Sequence, residues 1–454
     1  MTRASIFHVN ELTATQILNR GNSMVSECIE ITAFKCNIIH STELRKLQIY
    51  APGLIGINAH GTIEFLVEYG QHVHVHYTKL LDLGDQLLIP GFVDGHAHAP
   101  QSVFAGLGMH LPLLEWLQAY TFPCEAAFSN IQYAREMYSE CVRRLLRVGT
   151  TTCSYFGTTH LKASKVLVDV IEEVGQRAFI GKVNMDRNGT QQLTEDTEES
   201  IQSTRAFVEY VMKKKNALLT PVLTPRFVPS TSSKLMIALG TLSREYNPPL
   251  RIQSHLSESQ REVEWVRELH PECSSYTQVY DHHGLLHERS YMAHCIWCSD
   301  KERALLAQRQ SGVIHCPNSN FSLKSGILNV RQLLDVGIKV GLGTDIAGGY
   351  AVSMLDAIRQ SIIASKVVAM QSENVFKALS YEEAFFLATL GGAHVLGVGD
   401  IIGNFDIGKD FDALVIDVGS IRATSSSVLD RFQQFLFLGD DRAISQIFVK
   451  GKPV

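Results

Sequence analysis

His96 and His98 stand two residues apart in Asp94-Gly95-His96-Ala97-His98. Alternation along an extended chain turns both imidazoles to one side, where two nitrogens can share one ion. His255 and Asp345 add a third imidazole and a carboxylate, a donor set that suits zinc or ferrous iron. Glu258 is a separate carboxylate for proton transfer, and His294 a further polar group for the same site. The chemistry these residues could do together is hydrolysis by a metal-activated water.

Spacing alone is weak evidence. With 18 histidines in the chain, a His-x-His pair is expected about once by chance. His72-Val73-His74-Val75-His76 is the better cluster by spacing, with three imidazoles on one face of an extended segment. We read it as a solvent-facing strand edge with its valines turned inward, and assign it no metal.

What separates the two is the elements that carry them. Eight short β-branched or apolar segments recur at 87–93, 150–156, 177–183, 218–223, 250–254, 290–293, 312–315 and 338–342, separated by stretches of helical character. In the stretch 133–147 apolar and charged residues recur at helical spacing, and Gly149 supplies the stop. This alternation predicts an α/β fold, a (β/α)8 TIM-like barrel over 88–398. Segments 1–87 and 399–454 read as short strands with turns at Ala51-Pro52-Gly53 and His60-Gly61-Thr62, with Ser425-Ser426-Ser427 as a loop. They predict one discontinuous small β-sandwich domain. A parallel barrel carries its active site at the strand C-termini. The first strand ends in Asp94-Gly95-His96-Ala97-His98 and the fourth in Thr224-Pro225-Arg226-Phe227. The fifth ends in Ser254-His255-Leu256-Ser257-Glu258, the sixth in Ala293-His294 and the eighth in Gly343-Thr344-Asp345.

Composition narrows the alternatives. The chain has 454 residues, 45% hydrophobic and 19% charged, which is ordinary globular usage. A net charge of -5 gives no basic footprint, so no nucleic-acid partner is expected. No apolar run is long enough to span a bilayer, and Met1 to Asn10 is too polar for a leader, so a cytoplasmic location without membrane contact is expected. Nine cysteines, an odd number scattered from Cys28 to Cys316, read as reduced thiols. Cys295-Ile296-Trp297-Cys298 is taken as structural, Asp281-His282-His283 as a surface loop, and Lys213-Lys214-Lys215 as a solvated helix end.

Pro90-Gly91-Phe92-Val93-Asp94-Gly95-His96-Ala97-His98, with Ser254-His255 and Gly343-Thr344-Asp345, resembles the amidohydrolase superfamily, particularly its one-metal nucleobase and nucleoside deaminases. Leu111-Pro112-Leu113-Leu114-Glu115-Trp116-Leu117, Tyr120-Thr121-Phe122-Pro123, Thr224-Pro225-Arg226-Phe227 and His315-Cys316-Pro317-Asn318-Ser319-Asn320 extend the likeness to the guanine-acting branch. So do Gly343-Thr344-Asp345-Ile346-Ala347-Gly348-Gly349 and Leu438-Gly439-Asp440-Asp441-Arg442, so it covers nearly the whole chain.

The resemblance implies hydrolysis of guanine, a small-molecule substrate, to xanthine and ammonia on one zinc ion per subunit of a homodimer. Carried over by position, His96, His98, His255 and Asp345 would bind the metal. His98, Gln101, Arg226, Phe227, His255, Glu258 and Asp345 would bind substrate. Glu258, His294 and Asp345 would be catalytic: Asp345 accepting a proton from water, Glu258 protonating N3 of the ring, His294 stabilising the developing oxygen charge. Arg226 and Gln101 would offer hydrogen-bond donors to the base, and Phe227 a stacking face. Two-metal barrel hydrolases bridge their ions through a modified lysine at the end of the fourth strand. Arg226 occupies that position and Lys182 lies on the third strand, which favours one metal. Gly95 and Ala97 are smaller than the family pattern, a departure that bears on the pocket floor and not on any ligand. The competing readings are a one-metal deaminase of a pterin, an adenosine derivative or a triazine, and a non-catalytic scaffold.

Overall fold

The described chain opens with four strands, β1 (Ile31–Glu43), β2 (Lys46–Asn58), β3 (Ile63–Glu68) and β4 (Lys79–Pro90), before the barrel begins. The computed structural model describes residues 30–417, 419 and 427–454. Met1 to Asn10, Cys28, Ser425 and Ser426 lie outside the described residues.

Barrel strands follow as β5 (Phe92–His98), β6 (Thr150–Phe156), β7 (Arg177–Gly181) with its short continuation β8 (Val183–Asn184), β9 (Leu219–Pro225), β10 (Arg251–Leu256), β11 (Ser290–His294), β12 (Gly312–His315) and β13 (Val340–Leu342). They pair in parallel in the order β5-β6-β7-β9-β10-β11-β12-β13, with β8 on β9. Each crossover includes a helix, as parallel neighbours require. The helix Ile131–Arg147 shows why such segments fold: the Asn130 side chain accepts from the backbone N–H groups of Gln132 and Tyr133 at its start, and Gly149 past its end takes φ +92°. The ring closes where β13 returns to β5. The Asp345 N–H donates to the His96 carbonyl at 2.9 Å. The buried Asp94 carboxylate accepts from the Thr344 N–H at 3.0 Å and the Thr344 hydroxyl at 2.5 Å, across 250 residues of sequence.

The predicted barrel architecture is present, with one displacement at its entry. The apolar segment 87–93 spans two elements: 87–90 finishes β4 in the other sheet, and the first barrel strand is β5, which carries His96 and His98 within it.

After the barrel, β14 (Ala413–Ile416), β15 (Ile444–Val449) and β16 (Lys452–Pro453) join the N-terminal strands in one sheet of order β16-β15-β14-β4-β1-β2-β3. Phe34 of β1 and Phe448 of β15 meet with ring centroids 5.5 Å apart. Phe34, Phe411, Phe448 and their neighbours form the apolar core of this separate sheet. Arg177 of β7 joins the two sheets, buried and bonded to Asp412 at 2.9 Å and Asp410 at 2.8 Å.

Three local expectations need correction. Ala51-Pro52-Gly53 is no turn but lies inside β2, at a break in its register with β1, whereas His60-Gly61-Thr62 does connect β2 to β3. The stretch after Asp410 is not strands alone: Val428–Leu438 is a helix capped by Ser427, and its Phe432 packs on Phe385 at 4.9 Å. Asp281-His282-His283 closes the helix Tyr276–His282, with His283 buried and its Nδ1 2.6 Å from the Val279 carbonyl. Among the described residues no helix is long and apolar enough to cross a membrane.

Ile314 of β12 lies in the barrel interior where three glycines leave room for it. A Cβ placed on Gly95, Gly341 or Gly343 would stand 2.3, 3.1 or 2.8 Å from an Ile314 side-chain carbon. The small residue at 95 is thus matched by Ile314 beneath the site and does not enlarge the pocket. We expect Gly95→Ala to cost about 1–3 kcal/mol by overpacking. Pairing it with Ile314→Val, which removes the colliding Cδ1, should recover part of that loss in urea denaturation; strictly additive losses would contradict the packing argument.

Candidate active site

Every side chain singled out for chemistry emerges at the same end of the barrel. His96 and His98 end β5, Arg226 and Phe227 follow β9, His255 lies near the end of β10 with Glu258 just beyond, His294 ends β11, and Asp345 follows β13. The backbone bends to aim them: Ser257, His294 and Asp345 all adopt left-handed φ values of +49°, +70° and +51°. Such strain in non-glycine residues persists only where surrounding structure holds it, and it concentrates at functional sites.

His96, His98, His255 and Asp345 each bring one ligand atom into a group whose members lie within 4.8 Å of one another. His98 Nε2 and His255 Nε2 are 3.0 Å apart, and Asp345 Oδ1 is 3.2 Å from His96 Nε2 and 3.5 Å from His98 Nε2. His255 Nδ1 sits 2.6 Å from the Arg226 carbonyl, so Nδ1 carries the proton and Nε2 turns a lone pair inward. His96 Nε2 is buried without a hydrogen-bond partner. Phe156, at the end of β6, packs its ring against all three imidazoles at 4.6 to 4.9 Å between centroids and fixes their orientation.

The electrostatics fit a cation. Burial drives the imidazoles of His98 and His255 well below their ordinary range, and that of His96 below it, so all three are neutral lone-pair donors. Burial alone would raise Asp345, but the imidazoles that face it, His96 foremost with Nε2 3.2 Å from Oδ1 and then His294 and His98, outweigh burial and hold the carboxyl well below the usual value. Three neutral nitrogens and one carboxylate, with an orphaned buried nitrogen among them, fit a single divalent ion. Cys316 stands near His96 and His294 as a second possible grouping, yet it shares His96 and burial pushes its thiol well above the ordinary range.

Beside this group lies a small cavity of about 30 Å³ between His98, Gln101, Leu113, Trp116, Leu117, Arg226, Phe227, His255, Glu258, Leu323 and Asp345. Glu258 accepts from the Ser325 hydroxyl at 3.0 Å. Burial raises its carboxyl to about 7 despite the opposing pull of His294. His294 Nδ1 donates to Asn320 Oδ1 at 2.9 Å, and its Nε2 stands 3.5 Å from Glu258 Oε2 and 3.8 Å from Asp345 Oδ2. Burial works against the imidazolium there, but the two carboxylates raise the His294 pKa.

Gln101 is held in the cavity wall by a carboxylate. Its amide nitrogen donates to Glu125 Oε1 at 2.9 Å, and the atom it leaves buried and unpartnered is the oxygen Oε1. It therefore offers the pocket an acceptor, while Arg226, bound through Nη1 to Glu125 Oε2 at 2.7 Å, keeps donors to spare.

Reading strand ends alone overlooked several groups that shape the site. Glu125 and the apolar wall of Leu113, Trp116 and Leu117 come from the long connection between β5 and β6, and Asn320, Leu323 and Ser325 from the one after β12. The segments Leu111 to Leu117, Tyr120 to Pro123 and His315 to Asn320, singled out for their likeness, pointed there.

The decoy cluster behaves otherwise. Residues 72–76 form an irregular loop, not a strand edge, and His72, His74 and His76 are exposed. His74→Ala should leave turnover unchanged within about twofold, as steady-state assay would show. The eight described cysteines are free, Cys295 and Cys298 buried among them. Lys214, in the basic helix end, is held by Asp169 at 2.7 Å and Glu172 at 2.8 Å and so is less solvated than expected.

Comparison with known proteins gives a consistent result. Residues 87–454 match the Amidohydrolase family. A guanine deaminase from Dictyostelium discoideum is 45% identical over 451 residues, covering 93% of this chain and 98% of the relative. One from Mus musculus is 42% identical, covering 93% and 96%. A solved guanine deaminase from C. acetobutylicum, with guanine bound in its active site, superposes with a TM-score of 0.90 at 37% identity, covering 94% of this chain and 100% of that one.

Proposed function

The chain belongs to the amidohydrolase family, and from there we propose that it hydrolyses guanine to xanthine and ammonia, with one zinc ion held by His96, His98, His255 and Asp345. The observation that carries this reading is the convergence, in one cavity, of that ligand group, a carboxyl poised near neutrality at Glu258, and the acceptor and donor of Gln101 and Arg226. Zinc bound there supplies a water acidified towards neutral pH.

The protein's own groups handle the protons. Asp345, ionised and facing both the ligand group and His294, takes the proton of the attacking water and passes it to the amino group leaving C2. Glu258, with its carboxyl near 7, holds a proton that it delivers to N3, so that negative charge does not build on the ring as aromaticity is lost, and it recovers one from the hydroxyl on C2 as the C2–amino bond breaks and the carbonyl forms. His294, anchored through Nδ1 on Asn320, aims Nε2 between the Glu258 and Asp345 carboxylates and stabilises the oxygen charge at the carbon under attack. Arg226 and Gln101 hold the opposite edge of the base, and Phe227 lies against it. Leu113, Trp116, Leu117 and Leu323 exclude bulk water, which strengthens each of these interactions.

Zinc-loaded protein should convert guanine to xanthine with release of ammonia, followed by the ultraviolet absorbance change; turnover of adenosine but not guanine would overturn the assignment. A cytoplasmic homodimer completes the reading on the strength of the family likeness, and light scattering at twice the chain mass would support it.

A further inference from the structure

Glu125 lies in the helix Phe122–Ala127, away from every strand end, with only 1% of its surface exposed. An ionised carboxylate only accepts hydrogen bonds, and Glu125 spends one oxygen on each of two neighbours: Oε1 on the Gln101 amide nitrogen at 2.9 Å, Oε2 on Arg226 Nη1 at 2.7 Å. The guanidinium also lies over the ring of Phe122, 5.6 Å from its centroid, so the same helix grips it from two sides. The oxygen and nitrogen of a glutamine amide differ little in shape, and only the network decides which way round they sit. Here the carboxylate decides: the NH2 faces Glu125, and the Oε1 that remains is buried and without a partner among the described residues, on a side chain that lines the cavity.

We propose that Glu125 sets the hydrogen-bond polarity of the base-binding pocket, placing an acceptor (Gln101 Oε1) beside a donor (Arg226) to match the N1–H and O6 edge of a 2-amino-6-oxopurine. The inference rests on the guanine reading, in which C2 faces the ligand group and N3 faces Glu258. N1 and O6 then turn towards Gln101 and Arg226. A 6-aminopurine presents the opposite order, an acceptor at N1 and a donor at the 6-amino group, and would meet acceptor with donor reversed. Such a mismatch leaves buried polar groups unpaired, which is how a site rejects a near-isosteric substrate. Glu125 touches no substrate in this arrangement; it is a positioning residue acting through Gln101 and Arg226.

The probe that isolates this role is 2,6-diaminopurine, which keeps the 2-amino leaving group and N3 but reverses the other edge. Steady-state kinetics of the zinc-loaded full chain should give a kcat/KM for guanine at least about a hundredfold above that for 2,6-diaminopurine. In Glu125→Gln the facing amide accepts or donates equally, so Gln101 can turn over. The ratio should fall by about tenfold or more, chiefly through loss on guanine, with zinc content unchanged. A residue that merely supported the fold would lower both substrates in parallel. A folded, zinc-loaded Glu125→Gln protein that keeps the wild-type ratio would overturn the inference while leaving the guanine assignment standing. Failure of the wild type to deaminate guanine would overturn both. If Glu125→Gln does not fold, Gln101→Met keeps the Arg226–Glu125 pair, removes the acceptor and must show the same fall in ratio; an unchanged ratio there is equally fatal.

Discussion

His98→Ala should leave a folded chain that holds less than half an equivalent of zinc and turns over guanine at least about a thousandfold more slowly, because the water is then no longer acidified towards neutral pH. The structure says why this loss should not be confused with unfolding. His98 Nε2 and His255 Nε2 face each other at 3.0 Å. The bond from His255 Nδ1 to the Arg226 carbonyl commits the His255 atom to a lone pair. Removing one imidazole relieves that crowding, and the alanine variant should melt close to metal-free wild type. Added zinc should then raise the melting temperature of the wild type, since a ligand that binds only the folded state stabilises it, and leave the variant where it was. Metal analysis beside calorimetry checks both halves. Full zinc occupancy in His98→Ala would remove it from the ligand group.

The second large effect is expected at Glu258, which lies near the ligand group but outside it. Glu258→Gln keeps the shape of the side chain and an acceptor for the Ser325 hydroxyl, now 3.0 Å away. It loses the ability to give up a proton at neutral pH. Turnover should fall by about a hundredfold or more with zinc still bound. The sign follows from the environment: burial raises the carboxyl to about 7, so its proton is available to the ring at physiological pH, whereas an exposed carboxyl would already have lost it. Loss of zinc along with activity would make Glu258 a ligand instead of a proton donor, and retention of activity would remove it from the reaction.

How far the sequence could be read depended on whether a residue's surroundings were local. Strands β6 and β12 coincide with the predicted segments because their apolar runs have turn or helix signals on both sides. The segment 87–93 misled because one apolar run serves two sheets, and only the tertiary break at Gly91 divides it. Residues 72–76 alternate as a strand should, yet no strand among the described residues pairs with them, and alternation without a partner makes no sheet. The helix Val428–Leu438 was legible in principle, since Ser427 caps it and Phe432, Phe435 and Leu436 recur at helical spacing; the surrounding strand-like pieces hid it. Residues at strand ends, such as His255 and Asp345, announce themselves through the barrel's own geometry. Glu125 does not, for its meaning lies in two partners reached only through the folded chain, one of them 101 residues away in sequence.

The seam at which β13 meets β5 also places the site in time. Two ligands come from the first barrel strand and one from just past the last, and the contacts that bring them together, Asp345 to His96 and Thr344 to Asp94, close a loop of 250 residues. Contacts so distant in sequence carry a large loop-closure entropy and form late in folding. A nascent chain that has made only its first strands owns His96 and His98 but nothing that completes a cage. Capture of the proposed ion would therefore wait on a finished ring.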